Sequence, residues 1–348
     1  MNILDYVEKY GDKDFNEFSF NDVDNLILSQ LSYLPLSGIV PSLYEKGITL
    51  SDASQNYFKK YSKADINKQW YLIPKVSILL KMMSSTKRYG NSILYNYVNI
   101  VDSSKQFGAL CIRLNDNSVY ISYEGTDDTL VGWKEDFKMA CNYPVPSQLL
   151  AVKYLNRVVR FSDKVIRIGG HSKGGNLAVS AAMGCNFIVR SKIDTIYNND
   201  GPGFLKEQVE SKKYLKIISK VKMFVPKESI VGMLLYHDVD YIVVKSSRLG
   251  IFQHDAFSWQ CSGNTFAVDK LSNRSKNLEK KLNKKLEEIS PLERQMVVEA
   301  IFSIFEDNDI KLTKEIKLNK IFDILKSIKN TDKEIRKLIL DLIKAAFI

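Results

Sequence analysis

Histidine and cysteine, the residues most often used to bind metals, are scarce in this chain of 348 residues. There are three histidines, and the four cysteines (Cys111, Cys141, Cys185 and Cys261) are widely separated. No cysteine pair has the spacing of a metal site, and a chain of this length does not need disulfides to fold. We therefore expect reduced cysteines, with Cys111 and Cys185 in the core, and a cytoplasmic location.

Long hydrophobic runs are also absent, since no stretch approaches the roughly 18 apolar residues that cross a bilayer. Residues 1–8 contain neither a basic segment nor a long apolar one, so no secretory signal is expected. The composition, 45% apolar and 26% charged, is ordinary for a globular protein. The length suits one large α/β domain with an appendage.

Acidic residues are too few to balance the basic ones, and the formal net charge is +10. Much of the excess lies in 270–285, which contains one acidic residue, Glu279, and seven basic ones: Lys270, Arg274, Lys276, Lys280, Lys281, Lys284 and Lys285. A solvated helix face is the simplest interpretation, and weak peripheral contact with an anionic membrane is the alternative. No nucleic-acid-binding motif accompanies the charge, so no nucleic acid partner is expected. The sequence leaves the oligomeric state open.

The order of the expected elements indicates the fold class. Up to about Tyr95 the pattern is mostly helical, with helices over 22–34, capped by Asn21, and within 70–83. Strands and helices then alternate, which predicts an α/β fold with a mostly parallel sheet flanked by helices. The expected strands are 107–114, 119–123, 165–168, 193–197, 221–225 and 241–244, with helices over 147–161, 177–189 and near 204–217.

From about residue 270 the pattern is purely helical. Ser290 with Glu293, and Thr331 with Glu334, have the spacing of capping boxes that begin helices. The second of these helices would carry an apolar stripe of Ile335, Leu338, Ile339 and Leu342. We therefore predict an α/β domain over 1–265, which includes the N-terminal helices, and an all-helical C-terminal appendage over 270–348.

The most informative motif is Gly-His-Ser-Lys-Gly at residues 170–174. It follows a short β-branched run and precedes an alanine-rich helical pattern, which is the strand–turn–helix context of a nucleophile elbow. In such a turn only very small residues fit two places before and after the serine, where Gly170 and Gly174 stand. Ser172 is therefore the candidate nucleophile, and the alternative is a glycine-rich turn that only allows close packing.

A serine nucleophile needs a base, and histidine suits this task best. His254 follows the last expected strand, where the serine–acid–histidine order of an α/β-hydrolase places the base. His237 precedes that strand, and the side chain of His171, within the elbow, is expected to point under the sheet end. We predict His254 as the base; the alternative is a loop histidine bound to Asp255.

The orienting acid is predicted at Asp200, which ends the strand after the elbow helix, on the sheet edge where such sites assemble. Glu228, one strand later, is the second candidate. The alternative for Asp200 is a cap on the glycine-rich turn at 201–203. For the oxyanion hole we predict the backbone N–H groups of Lys173, next to the serine, and of Thr126, after the strand that ends at 123.

These motifs resemble those of the class 3 lipases and of a related bacterial family of lipase-like α/β-hydrolases. Residues 122–126 with 133–136, and residues 170–175, are similar to lipase motifs, whereas 199–204 and the N-terminal 5–6 and 20–24 are more similar to the bacterial family. Glu124 stands where the lipases have arginine, Lys173 where they have leucine, and Ser229 where they have the acid. The resemblance covers about 1–262 and implies an α/β-hydrolase fold and ester hydrolysis.

The predicted function is a serine hydrolase that cleaves a carboxylic ester through a Ser172–His254–Asp200 triad and an acyl-enzyme. The expected substrate is a small-molecule or lipid ester, and no metal or organic cofactor is expected. A thioester or amide stays open as the substrate, because a triad does not specify the leaving group. The alternative from another class is a catalytically silent α/β-hydrolase fold, used as a binding or effector module with the helical tail as its docking surface.

Overall fold

A computed structural model describes residues 1–43, 45–307 and 310–312, together with 333, 336 and 337. Its N-terminal part is largely helical, as predicted. The elements in chain order are α1 (Ile3–Tyr10), α2 (Asp22–Gln30), the short strand β1 (Ile48–Thr49), α3 (Leu50–Lys60), α4 (Lys63–Lys68) and α5 (Leu72–Ser84). Asn21 caps α2 in a reciprocal box with Asp24, since each side chain accepts a hydrogen bond from the other residue's backbone N–H.

An eight-stranded sheet forms the centre of the described part of the chain, with its strands in sequence order. The strands that follow β1 are β2 (Ile93–Val101), β3 (Gln106–Arg113), β4 (Val119–Tyr123), β5 (Ile166–His171), β6 (Ile193–Asn199), β7 (Val221–Pro226) and β8 (Tyr241–Val244). Strands β1 to β4 pair antiparallel, whereas β4 to β8 are parallel. The predicted α/β fold with a mostly parallel sheet is confirmed.

Helices cover both faces of the sheet. The helices that follow the N-terminal ones in the chain are α6 (Leu130–Lys138), α7 (Pro146–Val158), α8 (Lys173–Gly184) and α9 (Phe187–Lys192). Side chains alternate along each strand, so on β4 Tyr120 packs with the N-terminal helices and Ile121 packs with α7 and α8. Polar contacts tie α2 to the sheet, because Asn25 Nδ2 donates to Asn199 Oδ1 over 2.8 Å.

Several local predictions differ from the structure. The helix expected over 177–189 is interrupted, since α8 ends at Gly184 and α9 begins at Phe187. Strand β2 was not expected, because a bulge between Tyr95 and Val98 interrupts its alternating pattern, and Asn96 there has a φ of 54°. The single helix expected near 204–217 is instead two one-turn helices, α10 (Lys206–Val209) and α11 (Lys212–Leu215). Ser211 separates them by accepting a hydrogen bond from the Tyr214 N–H, and so begins a new helix.

The C-terminal part begins with a hairpin of β9 (Cys261–Ser262) and β10 (Thr265–Phe266), followed by α12 (Asn273–Glu288) and α13 (Pro291–Asp307). The capping box of Ser290 and Glu293 is confirmed at the start of α13. The pattern is not purely helical, since Leu312 forms an antiparallel bridge with Thr129. The second predicted capping box and its apolar stripe lie outside the described residues, and the predicted domain division stays a prediction.

Helix α13 packs on α6. The rings of Phe137 and Phe302 are 5.6 Å apart, and Glu299 forms ion pairs of 2.8 Å with both Lys134 and Lys138. Helix α13 therefore rests on the helix that follows the predicted oxyanion segment.

Two expectations from composition can be compared with the structure. All four cysteines are buried and free, including Cys111 and Cys185 in the core. Within the part of the chain that the structure describes, no helix combines the length and the apolar character needed to cross a membrane.

Candidate active site

Ser172 lies between β5 and α8 in the tight turn that its motif predicts. Its φ of 57° and ψ of −133° fall in a region that residues with side chains rarely adopt. Small neighbours are required, since a Cβ on Gly170 would lie 2.3 Å from the carbonyl carbon of Gly174. A Cβ on Gly174 would in turn lie 2.2 Å from the carbonyl oxygen of Tyr123. The turn leaves Ser172 half-buried at the carboxyl edge of the parallel strands.

Asp200 leaves the sheet beside Ser172, because β5 and β6 are parallel and His171 pairs with Asn199. It is fully buried, and its Oδ2 lies 2.6 Å from Nδ1 of His254. A carboxylate that accepts a hydrogen bond from Nδ1–H fixes the imidazole tautomer, so Nε2 is left to exchange a proton with a hydroxyl group. The predicted acid and the predicted base are therefore in direct contact.

The other oxygen of Asp200 is held by two donors. Its Oδ1 accepts hydrogen bonds from the Ser229 hydroxyl over 2.5 Å and from the Gly232 N–H over 3.1 Å. Asp200 does not cap the turn at 201–203, because Asn198 Oδ1 accepts the Gly201 N–H over 2.8 Å. With the turn capped by Asn198, the Asp200 carboxylate is available to orient the imidazole.

His254 lies against the residue before the serine. The rings of His254 and His171 have centroids 4.5 Å apart. Among the described residues no hydrogen bond joins Ser172 Oγ to His254, as is common before substrate binds. Asp255 does not bind the imidazole either, since its carboxylate pairs with Lys75 over 2.5 Å.

Among the described residues, neither of the other two histidines forms a hydrogen bond with Asp200. His171 is buried, its Nδ1 lies 3.2 Å from the Tyr33 hydroxyl, and its Nε2 lies 2.7 Å from the carbonyl oxygen of His254. Burial, with His254 adding to it, lowers the pKa of His171 well below its usual value. Burial also lowers the pKa of His237 to about 4.

Glu228, the second candidate for the acid, holds the loop that carries His254. Its Oε2 accepts hydrogen bonds from the Gly250 N–H over 2.6 Å and from Gln253 Nε2 over 3.2 Å. Gln253 Oε1 in return accepts the Glu228 N–H over 2.9 Å. Glu228 thus contacts the residue before His254, whereas Asp200 contacts the imidazole itself.

The two predicted oxyanion donors lie on neighbouring segments. Lys173 is the first residue of α8, so its backbone N–H has no acceptor inside the helix. Thr126 follows β4, which runs parallel to β5. Gly125, the residue before Thr126, is closely packed: a Cβ there would lie 2.0 Å from the Tyr33 hydroxyl and 2.6 Å from the carbonyl oxygen of His171.

A buried polar cluster around the Lys173 side chain was missed by sequence reasoning. The Lys173 ammonium has no exposed surface and lies 3.0 Å from the carbonyl oxygen of Gln106, 3.5 Å from Glu135 Oε2 and 3.9 Å from Asp136 Oδ1. The available signal was that Lys173 is charged where the resembling lipases have leucine, and that Glu124 carries the opposite charge to their arginine. Glu124 is buried as well, and burial raises its pKa well above its usual value.

An apolar loop tip lies close to His254 in the chain. Leu249, Ile251 and Phe252 are exposed to 80%, 54% and 67%, although side chains of this kind are usually buried. Gly250 between them has a φ of 58°. Glu228 holds this loop in place, because it accepts hydrogen bonds from the Gly250 N–H and from Gln253 Nε2.

The sheet and the strained serine turn define an α/β-hydrolase-like protein. The chain belongs to the Mbeg1-like family, whose model matches residues 83–303, and this family is lipase-like. No curated protein matches the chain. Among solved structures the chain is similar to the crystal structure of M37 lipase, with 15% identity and a TM-score of 0.31. That alignment covers 45% of this chain and 62% of the other, so the chain spans less than two thirds of the lipase's length.

Proposed function

We propose that this chain is a serine hydrolase that cleaves carboxylic esters, the chemistry of the class 3 lipases that its motifs resemble. The observation that carries the proposal is the 2.6 Å contact between the buried Asp200 carboxylate and His254 Nδ1, on the sheet edge that also carries Ser172. A strained elbow serine, a histidine and a buried carboxylate are the parts that nucleophilic acyl transfer needs.

In the proposed reaction His254 Nε2 accepts the Ser172 hydroxyl proton as Oγ attacks the acyl carbon. The carbonyl oxygen becomes an oxyanion that accepts hydrogen bonds from the N–H groups of Lys173 and Thr126. The protonated imidazole then gives its proton to the departing alkoxide, which leaves an acyl-serine. Water attacks this ester with His254 again as base, and the carboxylic acid and free Ser172 are released. Asp200 stabilises the imidazolium in both steps.

A lipid ester is the substrate class that the surface favours. Leu249, Ile251 and Phe252 offer an apolar contact next to the predicted base, and α12 exposes Arg274, Lys276, Lys280, Lys281 and Lys284. Apolar side chains suit acyl chains, and basic ones suit anionic headgroups, so weak peripheral binding to an anionic membrane belongs to the same proposal.

Fluorophosphonate labelling of the purified protein tests this function, beside Ser172→Ala, His254→Ala and Asp200→Asn. We expect the wild type to label and Ser172→Ala not to label, with a sharp loss of rate in the other two variants. A panel of short-chain and long-chain esters and thioesters then identifies the leaving group. A folded wild-type protein that does not label, with or without detergent or lipid, would favour the binding module instead.

A further inference from the structure

The ammonium of Lys173 orients the side chain of Gln106. A carboxamide has an acceptor end and a donor end, and the Lys173 ammonium donates to the acceptor, Oε1. The donor end, Nε2, is thereby turned toward Gly125, whose carbonyl oxygen accepts it over 3.1 Å. The Lys173 side chain is thus linked through Gln106 to Gly125, the residue before Thr126.

The same ammonium faces two carboxylates of α6, and these also reach the active-site segments. Glu135 accepts the backbone N–H of Ser147 over 2.7 Å and that of Gln106 over 3.2 Å. Asp136 accepts a hydrogen bond from the Thr126 hydroxyl. The segment 125–126 is therefore held from two sides, through the carbonyl of Gly125 and the side chain of Thr126.

We propose that Lys173 is a positioning residue, whose buried ammonium fixes the Gly125–Thr126 segment so that the Thr126 N–H stands ready beside its own backbone N–H. One residue would then supply one oxyanion donor and align the other. The inference rests on the proposed function. A buried cation suits this task because it contacts an amide and two carboxylates at once, and because it offsets the charge of the carboxylates where its own ammonium is fully buried.

Lys173→Met tests the inference, because methionine keeps an unbranched side chain out to Cε and the backbone N–H of α8 but removes the ammonium. We expect the fluorophosphonate labelling rate and kcat for a short ester to fall about 100-fold, the loss typical of a misplaced oxyanion donor. KM should stay within about twofold, since ground-state binding is untouched. Hydrogen exchange of the amides at 125–127 should accelerate relative to the rest of the sheet.

Matched variants separate positioning from general damage. Lys134→Met removes a lysine from α6 that pairs with Glu299 and Glu306, and it should leave labelling within about twofold of wild type. Gln106→Leu removes the carboxamide that links Lys173 to Gly125. The effects of Gln106→Leu and Lys173→Met should not add, because both variants break the same link. If Lys173→Met does not fold, the double variant Lys173→Met/Glu135→Gln, which removes a charge of each sign, and Gln106→Leu replace it.

The outcomes distinguish this inference from the proposed function. Labelling and exchange at 125–127 that match wild type in Lys173→Met and in Gln106→Leu would overturn the inference and leave the hydrolase intact. A wild-type protein that never labels would count against the hydrolase, and the exchange measurement would then decide alone whether Lys173 holds the segment.

Discussion

The Ser229 hydroxyl donates a 2.5 Å hydrogen bond to Oδ1 of Asp200. Ser229 follows β7, where the resembling lipases carry their acid, whereas Asp200 follows β6. The proposed acid thus stands one strand earlier than in those lipases, and Ser229, at the position of the lipase acid, donates a hydrogen bond to it. Because both side chains are buried, the bond is shielded from competition by water.

Ser229→Ala should therefore lower kcat about 10-fold or more, since a hydrogen bond to a charged group contributes about 1.5–3 kcal/mol. Asp200→Asn should lower it far more, by roughly 10⁴-fold, because the tautomer of His254 is lost. Steady-state kinetics on a short ester measure both. Glu228→Gln is the matched control on the same loop, and a loss there as large as in Asp200→Asn would contradict the assignment of the acid.

Gly174→Ala should abolish labelling. The new Cβ would lie 2.2 Å from the Tyr123 carbonyl oxygen, which is backbone and cannot move without shifting β4. Gly263→Ala is the comparison: Gly263 has a φ of +63° with open space around its Cβ position. That change should cost about 1 kcal/mol of unfolding free energy and leave labelling unchanged. Urea unfolding with fluorophosphonate labelling reports both, and full labelling of Gly174→Ala would refute the predicted elbow geometry.

Phe252→Ser should weaken binding to vesicles that contain anionic lipid about 10-fold, because burial of a phenylalanine side chain contributes about 1.5–3 kcal/mol. Hydrolysis of a long-chain ester should fall with it, while a short ester is cleaved as before. Phe161→Ser is the control, since Phe161 is 96% exposed and lies before β5, at the opposite end of that strand from Ser172. Equal vesicle binding by the two variants and wild type would exclude the loop as a lipid contact.

Asp136 should give the folded protein a distinctive pH dependence. Burial raises its pKa from 3.8 to about 6, although Lys173 acts to lower it, and Glu135 and Asp127 add to the rise. The folded state holds this proton more tightly, so the contribution to stability is fully present below about pH 4 and is lost as the pH rises through about 6. Relative to Asp136→Asn, the wild type should lose unfolding free energy across that window. Urea titrations at several pH values measure this, and a pH-independent difference would disprove it.

The sequence predicted the tight turn at Ser172 and favoured Asp200 over Glu228 as the partner of His254, because these predictions follow from local patterns and from the order of parallel strands. Glycines at 170 and 174 report a steric requirement directly, and an acid after a strand lies at a known edge. Strand β2 was missed because its bulge breaks the alternation that identifies a strand. The Lys173 cluster was missed because Gln106, Glu135 and Lys173 are far apart in sequence, and only the sheet and α6 bring them together.

The region that matches the family begins at residue 83, yet the support of the site begins earlier. Asn25 holds Asn199, the neighbour of Asp200, and Tyr33 contacts His171, the neighbour of Ser172. Shortened to the matched region, the protein would also leave one face of its sheet bare of α1 to α5. A shortened protein that keeps the intact site would therefore have to begin at α1 and not at the start of the region that matches the family model.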